Sequence, residues 1–337
     1  MSEPTQQQFA AEFLRRQRSR ASLVDFSQAI DIPGVPAIDI PDDDLTTETT
    51  YAPVESRVAI HHLLMMQAIQ RCIETSRGRL MIFAPPGSAK STYASVLAPA
   101  WAMGRKPNTQ IILASYATSI AVKQSRKVRS IMRDKAYTNI WPERPVLLED
   151  QRAVDDWQLT NGSSMMAAGL LAGITGNRAD GVIIDDPVAN REQADSAALC
   201  EKTYNEYIDT AMTRAKPQMF CIIIQTRWSE NDLAGMILPI DYAGESGNIP
   251  CRDGQTWEVL SIPAKAESEN DPLGRKIGEY LWKEWFPESH WATWEKNPRA
   301  ARTWSALYQQ RPAPFTGIHF SREMFKYFDP DLARIDA

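Results

Sequence analysis

The sequence predicts an α/β fold with a mostly parallel sheet flanked by helices. Between residues 51 and 238, apolar runs rich in β-forming residues alternate with helical stretches, which is typical of such sheets. The predicted strands are 80–83, 110–115, 181–185 and 219–225. The predicted helices are 91–103, 119–133, 194–212 and 231–238. The dipeptide Asn161-Gly162 is a turn signal and predicts a β-hairpin before the third of these strands.

Length and composition favour a soluble globular protein. The chain has 337 residues, of which 43% are hydrophobic and 23% charged, so it can bury a core and has room for two domains. Its longest apolar stretches fall far short of the roughly 18 residues that a membrane span needs. The polar start, MSEPTQQQ, does not resemble a secretory signal. We therefore expect a cytoplasmic protein without a membrane partner.

The net charge and the cysteines exclude further functions. A net charge of −5 argues against a protein that coats nucleic acid passively, although it permits a local basic stripe. The cysteines are widely spaced and are interpreted as reduced core thiols rather than zinc ligands. His61 and His62 open an amphipathic stretch, and we interpret them as core or cap residues that can pack near an adenine. The cysteines are Cys72, Cys200, Cys221 and Cys251.

Four segments are predicted along the chain. Residues 1–50 form an N-terminal arm, with a helix candidate followed by an acidic segment rich in proline, and we expect it to be peripheral. Residues 51–238 form the α/β domain. Residues 239–315 form a smaller unit with six tryptophans, and residues 316–337 form a polar tail. The tryptophans are Trp257, Trp282, Trp285, Trp291, Trp294 and Trp304.

A phosphate-binding loop is predicted where the strand in RLMIFAPPGSAKST runs into small residues and then a helix. In such loops, backbone N–H groups and the helix N-terminus surround the phosphates, a lysine reaches the β- and γ-phosphates, and the next hydroxyl binds Mg²⁺. These roles fall to Lys90 and Ser91. The predicted ATP-binding residues are Pro86, Gly87, Ser88, Ala89, Lys90, Ser91 and Thr92.

The loop departs from the usual pattern GxxxxGK[ST] at two positions. Ala84 and Ala89 stand where glycines normally occur. A methyl group at Ala89 hinders the loop only if its backbone needs a positive φ or a very close approach to phosphate. The alternative interpretation is an ordinary strand-to-helix turn with an exposed lysine.

An acidic pair closes the apolar strand in ADGVIIDDP. In a phosphate-loop enzyme, Asp185 would hold Mg²⁺ opposite Ser91, and Asp186 would orient and deprotonate the attacking water as the catalytic base. Most such enzymes place Glu at the second position, and Asp is one methylene shorter. The alternative is a polar turn at the end of a strand.

Two further segments carry candidate polar groups. Arg178, in GITGNRAD, can neutralise the γ-phosphate of a neighbouring subunit, or it can be a solvated loop residue. Gln225, Thr226 and Arg227 end the strand in CIIIQTRWSENDLAG and can couple nucleotide state to the rest of the domain. The alternative for this second segment is an ordinary strand end, with Ser229 capping the next helix.

Taken together, these motifs resemble the ATPase half of a bacteriophage terminase large subunit. The resemblance rests on APPGSAKS, GITGNRADGVIIDDPVANREQADS, IIIQTRWSENDLAG and WSALYQQRPAP, and it covers about residues 51–328. It implies a P-loop NTPase fold of the additional-strand type, with ATP and Mg²⁺ as cofactors. It also implies that ATP hydrolysis drives double-stranded DNA into a preformed capsid. The expected partners are a portal protein, a small terminase subunit and further copies in a ring, in the host cell cytoplasm.

The resemblance also assigns roles to residues. It makes Lys90 and Asp186 catalytic, Ser91 and Asp185 the Mg²⁺ ligands, and Arg178 the arginine finger. The tryptophan-rich unit resembles the linker or lid subdomain, and residues 316–337 resemble the lead-in to a nuclease domain. We expect no nuclease activity from this chain, and we interpret the acids of the tail as solvated. Those acids are Asp329, Asp331 and Asp336.

A basic helix is the candidate contact for DNA. The stripe in SIAVKQSRKVRSIMRDK can track phosphates without reading bases, or it can be a solvated face or a subunit interface. Its members are Lys123, Arg126, Lys127, Arg129 and Arg133. Two other functions remain open from the sequence: a helicase-like nucleic-acid ATPase, and a nucleotide-binding regulatory protein with weak hydrolysis.

Overall fold

A computed structural model describes residues 5–38, 49–148, 153–172, 174 and 178–312. The strands are β1 (Pro33–Pro36), β2 (Tyr51–Pro53), β3 (Arg79–Phe83), β4 (Gln110–Ser115), β5 (Asp156–Gln158), β6 (Ser164–Gly169), β7 (Ala179–Asp185), β8 (Ala215–Gln225), β9 (Gly247–Pro250) and β10 (Thr256–Ser261). The α-helices are α1 (Gln6–Ala21), α2 (Leu23–Ala29), α3 (Ile60–Glu74), α4 (Ala98–Arg105), α5 (Thr118–Arg133), α6 (Lys135–Ile140), α7 (Arg191–Asp195), α8 (Ala197–Glu206), α9 (Leu233–Ile237), α10 (Glu288–Glu295) and α11 (Ala301–Thr303).

The central sheet has the strand order β5-β6-β4-β7-β8-β3-β10-β9. Strands β6, β4, β7, β8, β3 and β10 are parallel, whereas the edge strands β5 and β9 pair in the antiparallel sense. The four predicted strands and the hairpin before β7 are confirmed. Strand β8 inserts between β3 and β7, so the segments that follow these three strands all leave the same carboxyl edge of the sheet.

The sheet is buried on both faces, as parallel sheets usually are. Strand β3 shows the alternation directly: Leu80 and Ile82 belong to one apolar cluster, whereas Met81 and Phe83 belong to the other. Helices α3, α4 and α5 cover the first face, and α9 with Tyr207 covers the second. This burial explains why the central strands read as nearly continuous apolar runs.

Two of the predicted helices are less regular than expected. The helix after the phosphate loop begins as a π-helical stretch, Thr92–Leu97, and continues as α4. The predicted helix 194–212 is divided into α7 and α8, followed by a π-helical stretch, Tyr207–Ala211. The division falls at Ser196, whose hydroxyl accepts a hydrogen bond from the Leu199 N–H and caps α8.

The prediction that the whole N-terminal arm is peripheral is wrong for α2, whereas most of α1 is exposed. Helix α2 buries Leu23 and Phe26 completely, and the ring of Phe26 packs against Tyr137 and Trp141. Helix α1 is anchored where the Trp101 indole donates to the Ser19 carbonyl at 3.1 Å. Because α2 joins the same apolar cluster as the sheet, this part of the arm belongs to the folded body. The acidic stretch 39–48 lies outside the described residues.

The predicted boundary after residue 238 cuts through the sheet. Strand β10 pairs with β3, with Leu260 opposite Ile82, and Trp257 is buried against the sheet. Trp291, from α10, is also buried in the main core. The tail acids Asp329, Asp331 and Asp336 lie outside the described residues. Within the described part of the chain, no helix is long and apolar enough to cross a membrane.

Candidate active site

A cleft opens at the carboxyl edge of the sheet, between the loops that follow β3, β7 and β8. All seven residues predicted to bind ATP line it, from Pro86 to Thr92. Asp186 and Thr226 contribute from the neighbouring strand ends. The sequence interpretation did not include the remaining lining residues, Tyr116, Val188, Ala189, Trp228 and Leu307. Four of these residues lie in the motifs that carry the family resemblance, beside the predicted site residues, whereas Tyr116 follows β4 and belongs to none of them.

The phosphate loop contains two residues in the left-handed region. Gly87 has φ +79° and Ala89 has φ +62°. The backbone at Ala89 therefore does require the conformation that glycine adopts without cost, and an L-residue in it carries about 1–2 kcal/mol of strain. Ala84, the other alanine at a glycine position, instead continues the buried end of β3. The two departures from the usual pattern are thus physically different.

Lys90 is buried within the loop rather than exposed on a turn. Its Nζ donates to the Ala84 carbonyl at 3.0 Å and to Thr226 Oγ1 at 2.9 Å. A third contact, to the Pro85 carbonyl, measures 3.4 Å. An anionic phosphate is a stronger acceptor than these neutral oxygens, so the ammonium is held where a phosphate can capture it. This arrangement excludes the exposed-lysine alternative.

Ser91 and Asp185 meet as predicted for a pair of Mg²⁺ ligands. Ser91 Oγ donates to Asp185 Oδ1 at 2.9 Å. Asp185 is buried, and among the described residues its Oδ2 has no hydrogen-bond partner. Burial, with the charge of Asp186 added, raises the pKa of Asp185 to about 7, although the nearby hydroxyls of Ser95 and Ser91 act in the opposite direction. The Ser95 hydroxyl is close to the carboxylate but does not form a hydrogen bond of acceptable geometry with Oδ2. A buried carboxylate oxygen without a partner is costly, and a cation there would offset that cost, so the two residues fit Mg²⁺.

Asp186 is fixed by the strand ends on both sides. Its Oδ1 accepts from the Thr226 N–H at 2.9 Å, and its own N–H donates to the Ile224 carbonyl at 2.8 Å. Its carbonyl accepts from the Tyr116 N–H at 3.3 Å. The residue has φ +43°, which is uncommon outside glycine but tolerated by Asp. The carboxylate therefore reaches the cleft in one defined orientation.

The three predicted coupling residues have different surroundings. Thr226 reaches the cleft and touches both Lys90 and Asp186. Gln225 is buried, and neither its amide nitrogen nor its amide oxygen has a hydrogen-bond partner among the described residues. Arg227 is buried beside the cleft, where its Nε donates to both carboxylate oxygens of Asp232 at 3.0 and 3.1 Å.

Asp232 also caps the helix that follows. Its Oδ1 accepts from the Gly235 N–H at 2.9 Å, at the start of α9. The alternative in which Ser229 caps this helix is therefore wrong. The carboxylate is the better acceptor, and it sits at the N-cap position of α9 while it also holds Arg227.

Arg178 does not reach the cleft of its own chain. It is exposed and directly precedes β7, whereas Asp185 ends that strand. At about 3.3 Å per residue, the two are roughly 20 Å apart along the strand. An action on the nucleotide of a neighbouring subunit stays a prediction.

One of the five residues predicted to bind DNA from α5 is buried in the structure, so that part of the prediction is wrong. Arg129 is only 3% exposed, and its Nη1 donates to the Ala153 carbonyl at 2.7 Å. It lies next to Val128 on the buried side of the helix, so it cannot track phosphates in this fold. Lys123, Arg126 and Lys127 are partly buried, and Arg133 is exposed at the helix end.

His61 and His62 are core residues, as predicted. Both are completely buried, and their rings pack against Trp282, while His62 also packs against Tyr93. Burial lowers the pKa of His61 to about 3 and that of His62 to about 4, with the His62 and Arg275 charges adding to the effect on His61. The cysteines are free thiols: Cys72, Cys200 and Cys221 are buried, and Cys251 is partly exposed.

One contact to the phosphate loop comes from the tryptophan-rich unit. A Cβ placed on Gly87 would lie 3.1 Å from Cζ of Phe286, so this ring covers the loop closely. Phe286 in turn packs against Trp282, His290 and Trp291. No local sequence pattern indicates this contact, because the two residues are almost 200 positions apart.

The strand inserted between β3 and β7, and the lysine, hydroxyl and acid pair at the carboxyl edge, define a P-loop NTPase fold of the additional-strand type. Residues 81–310 match the family model described as terminase large subunit, T4likevirus-type, N-terminal. The chain belongs to this terminase large-subunit family. A comparison with curated proteins gives no match.

One solved structure shows the same fold. The HK97 bacteriophage large terminase aligns with a TM-score of 0.50 at 13% identity, over 88% of this chain and 55% of that chain. Two structures of the Thermus phage P74-26 large terminase ATPase domain, one of them a mutant, align with TM-scores of 0.48 and 0.47 at 14% and 15% identity. Those alignments cover 77% of this chain and 100% of the other. This chain thus spans about half the length of the HK97 protein.

Proposed function

We propose that this chain is the ATP-hydrolysing motor subunit that drives double-stranded viral DNA into a preformed capsid. The observation that carries the proposal is the arrangement of Lys90, Thr226 and Asp186 at one point of the cleft, with Ser91 and Asp185 beside them. It occurs in a chain of the terminase large-subunit family. The cofactors are ATP and Mg²⁺.

Each group in the cleft has a distinct task. The N–H groups of the loop and the Lys90 ammonium bind the phosphates, and Lys90 gives up its carbonyl contacts to do so. Ser91 and Asp185 would hold Mg²⁺, which would neutralise negative charge on the phosphates. The Asp186 carboxylate, oriented by the Thr226 N–H, accepts a proton from the attacking water. Thr226 touches both Lys90 and Asp186, so it senses whether the γ-phosphate is present.

The remaining elements of the motor involve other molecules. Arg178 acts on the nucleotide of a neighbouring subunit in a homo-oligomeric ring, which docks on a portal protein and works with a small terminase subunit. DNA contacts come from the basic helix α5, through Lys123, Arg126, Lys127 and Arg133. The location is the host cell cytoplasm and, transiently, the procapsid. These assignments follow from membership in the family and from the sequence.

Single-turnover hydrolysis with the wild-type protein, Lys90→Ala and Asp186→Ala tests the proposal. We expect wild-type turnover that both substitutions abolish, with ATP binding lost in the lysine variant and kept in the aspartate variant. A wild-type protein that binds ATP without turning it over would overturn the motor assignment. DNA-stimulated hydrolysis by Lys123→Ala with Lys127→Ala, measured across salt concentrations, tests the DNA contact, and an unchanged salt dependence would exclude it.

A regulatory protein that binds nucleotide but hydrolyses it weakly is the second candidate. The observation that favours it is the strained backbone at Ala89 and Asp186, both with positive φ at non-glycine residues. The same turnover measurement separates the two candidates.

A further inference from the structure

Two consecutive glutamines near the end of the described chain are buried and have separate partners. The Gln310 Oε1 accepts from the Arg227 N–H at 3.2 Å, and its amide group donates to the Leu307 and Tyr308 carbonyls. Gln309 is bound instead to Lys265, whose N–H donates to Oε1 at 3.0 Å and whose carbonyl accepts from Nε2 at 3.1 Å. Gln310 thus binds the segment that follows β8, and Gln309 binds the segment that follows β10.

The partner of Gln310 is adjacent to the centre of the cleft. Arg227 directly follows Thr226, and Thr226 contacts Lys90 through its hydroxyl and Asp186 through its N–H. The bond from Gln310 therefore joins two segments 83 positions apart, at the turn that contacts Lys90 and Asp186. Gln310 is completely buried and has φ +58°, a conformation that a non-glycine residue keeps only when its surroundings hold it.

The same short segment reaches the cleft directly. Leu307, whose carbonyl accepts from the Gln310 amide, lines the nucleotide cleft. On the other side, the Arg311 N–H donates to the Ser305 carbonyl at 2.8 Å, and the Arg311 side chain packs on Gly244. A movement of the Thr226–Arg227 turn is thus linked to the segment 304–312.

We infer that Gln310 is a positioning residue of the nucleotide site: it holds the turn at Thr226 and links that turn to the segment 304–312. Without its acceptor, the Arg227 N–H would be buried and unpaired, so the turn would shift to satisfy it. Such a shift moves Thr226 away from Lys90 and Asp186 together. The inference rests on the proposed function, because it assigns Gln310 a part in that site.

Gln309 provides a matched control. It has the same side chain, is 4% exposed and makes two hydrogen bonds, but its partner Lys265 belongs to the chain after β10. Replacing either glutamine with leucine removes the acceptor of a backbone N–H, which is buried in Arg227 and partly buried in Lys265, so both variants should lose stability. Only the loss of Gln310 should affect the nucleotide site.

The experiment compares wild type, Gln310→Leu and Gln309→Leu by hydrogen exchange, with and without Mg²⁺ and ADP-beryllium fluoride, and by steady-state hydrolysis of ATP. We expect bound nucleotide to slow exchange at 84–92 and at 304–312 in wild type and in Gln309→Leu. In Gln310→Leu the response at 84–92 should persist, while that at 304–312 is lost. Its kcat should fall roughly tenfold or more with KM changed little.

Equal behaviour of the two leucine variants, or an unchanged nucleotide response at 304–312 in Gln310→Leu, would overturn the inference. If Gln310→Leu does not fold, Gln310→Asn serves in its place, because its shorter amide cannot reach Arg227 while it tolerates the positive φ. Failure of the proposed function is distinct. It would appear as wild-type protein without turnover, and exchange would still report whether Gln310 links the two segments.

Discussion

The backbone N–H of Thr226 donates to Oδ1 of Asp186 at 2.9 Å, which joins the ends of β8 and β7 directly above the cleft. The bond fixes one oxygen of the carboxylate that we propose as the base. It also ties the orientation of this carboxylate to Thr226, which touches Lys90. Proton acceptance and phosphate sensing therefore share one turn of the chain.

The first prediction separates the position of Asp186 from its charge. Asp186→Asn keeps an oxygen acceptor for the Thr226 N–H, so nucleotide affinity and thermal stability should stay near wild type. Turnover should fall about 10²–10⁴-fold because an amide cannot accept the proton. Asp186→Ala loses the hydrogen bond as well and should be less stable by about 1 kcal/mol. Single-turnover hydrolysis measures the turnover of the two variants, and thermal unfolding measures their stability. Wild-type turnover in Asp186→Asn would exclude Asp186 as the catalytic base.

The second prediction concerns the two alanines at glycine positions. Ala89→Gly removes the strain of φ +62° and should leave stability unchanged or raise it by up to about 1 kcal/mol, with kcat at least that of wild type. Ala84→Gly is the control: Ala84 is buried at the end of β3, so this change should cost about 1 kcal/mol. Urea unfolding measures both changes. The explanation fails if Ala89→Gly destabilises as much as Ala84→Gly.

The third prediction tests the aromatic cover of the phosphate loop. Gly87→Ala combines a positive φ with a Cβ only 3.1 Å from the Phe286 ring. Gly274→Ala has a comparable φ of +66°, and no described atom lies within 4 Å of its Cβ, so it reports the backbone strain alone. We expect Gly87→Ala to raise KM for ATP and to destabilise more than Gly274→Ala. Phe286→Leu in the Gly87→Ala background should reduce the destabilisation that exceeds that of Gly274→Ala. If this additional destabilisation stays the same, a clash with Phe286 is excluded.

The fourth prediction is a loss of stability in acid from the buried histidines. Their pKa values are lowered from 6.5 to about 3 and about 4, so below about pH 6.5 the unfolded chain binds protons that the folded chain does not. Stability should fall as pH falls from 6.5 towards 4, by about 1.4 kcal/mol per pH unit for each histidine. Because the raised pKa of Asp185 contributes a slope of opposite sign between about pH 4 and pH 7, the slopes are compared in the Asp185→Asn background. There, His61→Phe should roughly halve the slope in urea unfolding at pH 7.5, 6.0 and 5.0. An unchanged slope would contradict the assignment.

The fifth prediction concerns Asp185 and Mg²⁺. Because the folded pKa is raised to about 7, the folded chain keeps its proton where the unfolded chain loses it, so metal-free stability should decrease from about pH 4 to about pH 7. Asp185→Asn stays neutral, so the metal-free variant should be more stable than wild type at pH 8. Adding Mg²⁺ to the protein already saturated with ADP should raise the Tm of wild type further and leave that of the variant unchanged. Equal stabilisation of both by Mg²⁺ would argue against this ligand.

The central strands and the cleft could be predicted because their signals are local. An apolar run, a loop of small residues and a following lysine specify where Lys90 lies, and two carboxylates at a strand end specify Asp185 and Asp186. The burial of Arg129 could not be predicted, since it depends on the Ala153 carbonyl, which arrives from another segment. Likewise, the sequence does not reveal whether Ser229 or Asp232 caps α9, because the answer depends on which side chain reaches the first N–H groups of the helix.

The structure also explains a departure that the sequence could only describe. The pattern alone left open whether a methyl group at Ala89 matters, because the answer depends on the sign of φ. The burial of α2 was also not predictable from local sequence. The segment LVDF is apolar enough for a core, but the basic helix before it and the prolines after it indicated a peripheral arm. Whether such a segment is buried depends on partners such as Tyr137 and Trp141, which come later in the chain.

The position of Arg178 at the start of β7, on the edge opposite the cleft, limits the symmetry of any assembly that uses it in trans. Each subunit would contribute Arg178 from one edge of its sheet and would accept the Arg178 of a neighbour at the opposite edge. Such a contact is heterologous. Repeated by rotation, such a contact closes into a ring or continues as a helix, whereas an isologous dimer would need both edges within a single self-complementary patch. If Arg178 acts on a neighbour, the nucleotide is bound at the seam between successive subunits, and every seam has the same direction around the ring.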